Sequence, residues 1–372
     1  MESGRYGCMQ WKESRSFCTR VHFEDGLSRS PETKPRRATA DMVAATANVS
    51  RVAVSRAFNP HASIKPEKRD RILKVARELN YTPDMAARSL VTRRSHLVGM
   101  IVPDVCSPWE SQEIDALTTA LQAEGFATLL FKTRTDHSMD ERLLTYMKGF
   151  NPDSVIAFTE NVGPATLARV LDRAVPIYIS YPNNGRVAHD PDAPLYDELQ
   201  VNMRDGIDQA VALMQGYGAR RFAYLAGDAN SLASVERENV LRMVMAERGL
   251  GAPVIIAGDY TYDTAYAAVL NLYRLGEGVE AIFAANDVGA FGALDALRHE
   301  LQLRVPEDVK IVGFDDIAQS HWRSYNLTTV KIDLDQRVRA LTRLIHRRLK
   351  DPAAPPLSET ISTKLVVRGT VG

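Results

Sequence analysis

Cysteine is nearly absent: the 372 residues hold three, Cys8, Cys18 and Cys106. That number offers neither a disulfide framework nor a pair at metal-ligand spacing, and it fits a reducing cytoplasm. No apolar run approaches the roughly 20 residues that a membrane span needs, so a soluble protein is expected. Residues 1–37 carry charge throughout and lack the continuous apolar core of an export signal. They also lack apolar periodicity, and read as a disordered extension or as translation from an upstream start codon. No Walker loop, GxSxG elbow, HExxH or CxxC occurs. Catalysis and a cofactor are therefore left without support.

Net charge is also missing, with 46 Lys and Arg against 46 Asp and Glu, but the balance conceals an asymmetry. Residues 38–96 hold eleven basic and five acidic side chains, a net of +6; residues 1–37 add +3, leaving −9 for 97–372. A basic end on an acidic remainder is the pattern of a nucleic-acid module fused to a domain with another task. A solvated basic helical surface gives the same count, so spacing has to decide.

From Thr39 the texture is that of short helices. Thr39 can cap 40–47, Asn48 and Val49 make a tight turn that Asn48 tolerates in the left-handed region, and Ser50 can cap a second helix through Phe58. A third helix opens with Pro66 and should bury Ile72, Val75, Ala76 and Leu79. Tyr81-Thr82-Pro83 breaks the pattern, Asp84 can cap a short helix through Leu90, and Thr92 to Ser95 form a polar, basic connector. Beyond His96, apolar strands alternate with amphipathic helices. The strands are expected at 97–102, 127–131, 155–158, 176–180, 222–226, 254–257, 281–284 and 310–314. The helices fall around 110–124, 139–149, 164–174, 203–217, 235–249, 262–275, 288–300 and 335–349. Such alternation implies parallel sheets with right-handed crossovers. The irregular stretch Tyr181 to Gln200 suggests passage from one lobe to another, hence a cleft with its ligand groups just after the strands.

Two constellations stand out. The first runs from Ala44 to Arg56, where a helix, a turn and a second helix present Arg51, Val52, Ser55 and Arg56 at the start of the second helix. Taken alone it could be a purely structural helix corner. The run from Ala38 to Val102, with Val54-Ser55-Arg56-Ala57-Phe58-Asn59 and Asn80-Tyr81-Thr82-Pro83-Asp84-Met85-Ala86-Ala87-Arg88-Ser89-Leu90, resembles the N-terminus and hinge helix of the lactose-repressor (LacI) family. The resemblance implies that Arg51, Val52 and Arg56 read bases and that Ser50, Ser55 and Asn59 touch phosphate. It also implies that Ala87 and Leu90 enter the minor groove, Leu90 as a wedge. Met42, Ala53 and Lys65 depart from the family's usual residues, which weakens capping and a phosphate contact but leaves the turn intact.

The second constellation is Arg237, Asn286-Asp287 and Asp315-Asp316, with both polar pairs directly after apolar strands. Asn or Asp there is often only the cap of the next helix. These segments resemble the family's cleft motifs, which makes Arg237, Asn286 and Asp315 effector-binding candidates, with Pro108, Trp109, Ser180 and Tyr260 as further lining residues. Thr363 to Gly369 resembles the family's final strand, and no heptad helix follows it, so a tetramer-forming tail is not expected.

The expected architecture is therefore a small all-α helix-turn-helix domain and a hinge helix, followed by a two-lobed, periplasmic-binding-protein-like α/β domain with parallel sheets. Its parts are an extension (1–37), the DNA-binding domain (38–83), the hinge helix and linker (84–95) and an effector-binding and dimerisation domain (96–372). The function implied is a cytoplasmic, nucleoid-associated homodimer that binds palindromic operator DNA. It would repress a carbohydrate-utilisation operon under control of a sugar or sugar derivative. A periplasmic-type sugar-binding protein would need an export signal and would not carry the basic helical head; a sugar-metabolising enzyme would need a catalytic constellation.

Overall fold

Side-chain oxygens start the first two helices. Thr39 Oγ1 accepts from the Met42 amide at 3.3 Å, opening α1 (Ala40–Thr46), and Ser50 Oγ accepts from the Ala53 amide at 3.3 Å, opening α2 (Arg51–Ala57). Between them Asn48 takes φ 49°, the left-handed conformation expected of it. The third helix, α3 (Pro66–Glu78), starts on Pro66 with no side-chain cap from Lys65. Small residues let these short helices cross closely: Val43, Ala44, Ala47, Ala53, Val54, Ala57, Ile72 and Ala76 form one buried cluster, with Val75 and Leu79 packed at its edge. Arg69 ties the intervening loop by donating to the carbonyls of Asn59 (3.1 Å) and Ala62 (2.9 Å).

The computed structural model describes residues 38–59, 62–83, 89, 94–103, 105–133, 141–158, 167, 171, 176–180 and 196–372. The chain divides into two compact units, Met1–Asp84 and Met85–Gly372. The extension, the hinge helix with Ala87 and Leu90, most of the helix expected at 164–174, and 181–195 lie outside the described residues.

The second unit is a chain of βα repeats. Its strands are β1 (Leu97–Val102), β2 (Ala127–Lys132), β3 (Ser154–Ala157), β4 (Pro176–Ser180), β5 (Asp197–Asn202), β6 (Phe222–Leu225), β7 (Val254–Ile256), β8 (Ala281–Ala284), β9 (Lys310–Asp315), β10 (Thr328–Ile332) and β11 (Ser358–Val366). The helices that matter here are α4 (Pro108–Ala123), α5 (Glu141–Phe150), α6 (Arg204–Gly216), α7 (Leu232–Glu247), α8 (Tyr262–Arg274), α9 (Asp287–Asp295) and α10 (Leu334–Lys350). The strand order is β2-β1-β3-β4-β5-β11-β10-β9-β8-β6-β7. Every pairing is parallel except β10 with β11. Two lobes result, and β11 belongs to both: Ser358 to Ser362 run beside β5, and Thr363 to Val366 run beside β10. The chain enters this unit at a fixed point, where Asp153 accepts from the amides of Ser95 (2.8 Å) and His96 (2.9 Å) and Arg94 donates to the Leu349 carbonyl at the end of α10.

Three expectations are corrected. The stretch read as irregular up to Gln200 contains the start of β5, which buries Asp197, Leu199 and Val201 and half-exposes Glu198, Gln200 and Asn202. Its buried first residue is an aspartate, held by Arg348 through Nε (2.6 Å) and Nη2 (2.6 Å), so no apolar run marks the strand. β10 was not expected either, because it opens on two threonines; both are fully buried with their hydroxyls engaged, Thr328 Oγ1 by the Arg368 amide (2.9 Å) and Thr329 Oγ1 by Asp287 (2.5 Å). β11 begins at Ser358 and ends at Val366, not 363–369. Among the described residues no helix is long and apolar enough to cross a membrane.

Candidate functional site

The N-terminal unit turns α2 outward. Its face of Ala53, Val54 and Ala57 is buried, while Arg51, Val52, Ser55 and Arg56 are exposed. The Arg51 side chain is 73% exposed and lies 3.8 Å from an equally exposed Asp41, a pair weak enough to exchange for another partner. Val52 is 61% exposed, and folding gives an aliphatic side chain no reason to stand there. Guanidinium groups beside a bare aliphatic group are the set that reads guanine edges and a thymine methyl. Ser50 uses its oxygen as the helix cap and keeps its proton to donate. Asn59 is half-buried, and its carbonyl holds Arg69.

In the second unit the strand ends gather buried charge. Arg237 of α7 lies under Phe314, its guanidinium carbon 3.9 Å from the ring centroid; it donates to the Ala285 carbonyl and stands 3.7 Å from Asp315. Asp315 is buried, and its Oδ1 has no hydrogen-bond partner among the described residues. Burial pushes its carboxyl well above the usual carboxylate range against the opposing pull of Arg237. Asp315 and Asp316 take φ 113° and 61°, a conformation that costs non-glycine residues about 1–3 kcal/mol each. Neighbours hold it in place: Asp316 pairs with Lys331 (3.1 Å) and Arg368 (2.5 Å). The segment that follows is tied by Asp287, which accepts from the Ile317 amide (2.9 Å), Ser320 Oγ (2.6 Å) and Thr329 Oγ1 (2.5 Å). Burial lifts the Asp287 carboxyl to about 7.

The other expected lining residues have mixed fates. Asn286 caps α9 by accepting from the Gly289 amide (2.9 Å) and donates to the Tyr260 carbonyl (3.0 Å), so most of its amide is committed to structure. Tyr260 shares a hydrogen bond with Ser231 (2.9 Å), and its ring lies flat on Gly227, where a Cβ would come within 2.2 Å of it. Trp109 packs against the core cluster shared by both lobes and also against that of the C-terminal lobe. Ser180 is not brought to the Arg237–Asp315 pair by any contact; it donates to Glu198 at 2.5 Å.

Sequence reasoning passed over a second buried pair. Glu113 and Arg337 have side chains 1% and 3% exposed; Arg337 Nε and Nη2 reach the two carboxylate oxygens, the latter at 3.2 Å. A signal was available, since Trp109, Glu113, Leu117 and Leu121 recur every four residues and put an acid on the buried face of α4.

A helix-turn-helix with an exposed basic row, carried with a two-lobed α/β body that buries an ion pair at its strand ends, defines a DNA-binding regulator with a ligand-receiving body of its own. Residues 41–84 match the bacterial regulatory proteins of the lacI family, and residues 211–371 match a periplasmic binding protein-like domain. The HTH-type transcriptional regulator CelR of Thermobifida fusca is 31% identical over 342 residues, which cover 90% of this chain and 98% of that protein. The ribose operon repressor of Halalkalibacterium halodurans is 26% identical over 338 residues, covering 88% and 95%. The chain belongs to the lacI family of bacterial regulatory proteins, which are DNA-binding transcriptional regulators and not enzymes. Its fold is that of the lac repressor dimer bound to operator and the anti-inducer ONPF, with TM-score 0.78 at 20% identity over 90% of this chain and 99% of that one. The complex of CelR with cellobiose matches with TM-score 0.62 at 27% identity, covering 90% and 100%.

Proposed function

We propose that this protein represses a carbohydrate-utilisation operon, binding a palindromic operator as a homodimer and changing its operator affinity when a sugar or sugar derivative occupies the cleft. In this reading 38–83 bind DNA, 84–95 form the hinge and connector, and 96–372 carry the effector site and the dimer contacts, the protein working at the bacterial nucleoid. The observation that carries it is the row Arg51, Val52, Ser55 and Arg56, displayed over a buried alanine face. Arg51, Val52 and Arg56 read bases, and Ser50, Ser55 and Asn59 hold phosphates, which fixes the register of the helix in the major groove. The effector side rests on Arg237 and Asp315, a buried donor and acceptor 3.7 Å apart, near enough for one hydroxyl lying to the side of the pair to bond both. Tyr260 and Trp109 supply ring faces, and Asn286 acts by placing Tyr260. Ser180 contributes a polar rim through Glu198. A sugar effector gains support from CelR, a relative seen in complex with cellobiose.

The test is selection of binding sites from a random duplex pool with the purified full-length protein, followed by titration of the selected site with a sugar library. Enrichment of a two-fold symmetric site bound by two chains, and a shift in affinity with at least one sugar, is the expected result. An asymmetric site bound by one chain overturns the dimer, and no response to any sugar overturns the effector class.

A further inference from the structure

Residues 38–59 contain one acidic side chain, Asp41, and it stands beside Arg51. Arg51 Nε lies 3.8 Å from Asp41 Oδ1, with both side chains open to solvent. Folding gains little from such a pair, because water and salt screen it. A carboxylate on this surface also works against DNA binding, since it repels phosphate and cancels part of the attraction that Lys and Arg provide. Its place is nevertheless well defined. Asp41 lies in the first turn of α1, which Thr39 caps, and Arg51 is the first residue of α2, which Ser50 caps. Val43, Ala44, Ala53 and Val54 lock the two helices into one buried cluster, and the Val49 amide donates to the Ala44 carbonyl across the turn at 2.9 Å. The approach to Nε leaves the N–H groups of both terminal nitrogens of Arg51 pointing elsewhere, and these are donors that can reach O6 and N7 of a guanine together.

We propose that Asp41 is a specificity-determining residue of the DNA interface: it orients the Arg51 guanidinium for a bidentate contact with guanine, and each operator half-site carries a guanine at the position Arg51 reads. This rests on the reading of Arg51 as a base contact. In the free protein the pair is weak. Docking in the groove excludes the water that screens it, the effective dielectric falls, and a contraction of about 1 Å turns the ion pair into a charge-assisted hydrogen bond. An arginine held at Nε loses the freedom to swing to a neighbouring phosphate or to another base. The carboxylate thus lowers affinity for DNA of every sequence while raising the penalty for a wrong base, so that selectivity is gained by repulsion as well as by attraction.

The experiment is selection of sites from a random duplex pool by the full-length protein, with wild type, Arg51→Ala, Asp41→Asn and Asp41→Ala run in parallel and base preferences measured position by position. Wild type is expected to prefer guanine about 10- to 100-fold at one position of each half-site, and Arg51→Ala to remove that preference and so identify the position. Both Asp41 variants should reduce it there by about three- to tenfold, leave the other positions unchanged, and bind a random-sequence duplex roughly threefold more tightly than wild type does. A purely structural role would not give this pattern, because a loosened helix pair weakens binding to all DNA alike. Full guanine preference in both Asp41 variants overturns the assignment. A change at a position other than the one Arg51→Ala identifies overturns it too, and makes Asp41 a base contact in its own right. If Arg51→Ala alters no base preference, Arg51 does not read bases and the role of Asp41 falls with it, a pattern distinct from the other two.

Discussion

Replacing Asp287 with asparagine should flatten the pH dependence of the two-lobed body's stability. Asp287 is fully buried, accepts three hydrogen bonds and titrates near 7, against 3.8 for an ordinary aspartate. Its folded pKa lies above its unfolded one, so the native state holds the proton more tightly. The contribution of this group to native stability is then fully present below about pH 3.8 and is lost as pH rises through about 7. A displacement of about three pKa units corresponds to about 4 kcal/mol as an upper bound, or about 1.4 kcal/mol for each pH unit crossed. Asparagine resembles the protonated form, because its oxygen keeps the Ile317 amide and the Ser320 hydroxyl while the Thr329 hydroxyl can turn to accept from its amide. Urea unfolding followed by circular dichroism at pH 5, 6, 7 and 8 should show wild type losing stability relative to Asp287→Asn at each step up to 7 and running parallel above it. Parallel curves throughout, or wild type gaining on the variant as pH rises, would refute the assignment. Asp287→Ala should be far worse, since it strands three donors at about 1–3 kcal/mol each and frees the segment that holds Asp315 in place.

Arg56→Ala is expected to cost about 1–3 kcal/mol of operator discrimination in fluorescence anisotropy and to weaken nonspecific binding much less; equal losses would make it a phosphate contact. Arg237→Ala and Asp315→Asn should abolish the effector's coupling of about 1–3 kcal/mol while leaving effector-free operator affinity within a few-fold, and a full response in either variant would move the site elsewhere. Ile72→Ala, at the fully buried centre of the helical cluster, should cost that unit about 2–5 kcal/mol and remove operator binding, with the melting of the α/β body unchanged in calorimetry. Leu90→Ala should reduce both operator bending and affinity in a circular-permutation gel assay; unchanged bending would remove the wedge role.

Local chemistry was legible in the sequence. Thr39, Asn48, Ser50 and Pro66 each act within four residues of themselves, and the three helices they bound fall where capping and periodicity place them, within a residue or so. Apolar strands such as β1, β4 and β8 were equally plain, since burial on both faces leaves continuous Val, Ile and Ala runs. What escaped was polar burial. β5 and β10 keep Asp197, Thr328 and Thr329 inside by pairing them with Arg348, Arg368 and Asp287, partners up to 151 residues away that no local pattern announces. Glu113 and Arg337 are separated by 224 residues, and each alone resembles an ordinary helical surface charge. Asn286 was identified with the cleft, but its carbonyl oxygen serves the helix that follows it.

Strand β11 has a mechanical consequence. Because one unbroken strand is laced to β5 through Ser362 and to β10 from Thr363, the lobes cannot slide past or pull away from each other without tearing a backbone ladder. The change of partner at Ser362–Thr363 is closely packed, since Gly206 of α6 sits where a Cβ would strike Val330 at 2.5 Å and Thr363 at 2.7 Å. Any change in the angle between the lobes must therefore be taken up within this one strand. Arg94 is tied to the end of α10 and Ser95 to Asp153, so the point where the chain enters this unit is fastened to the lobe that carries β1 and β3.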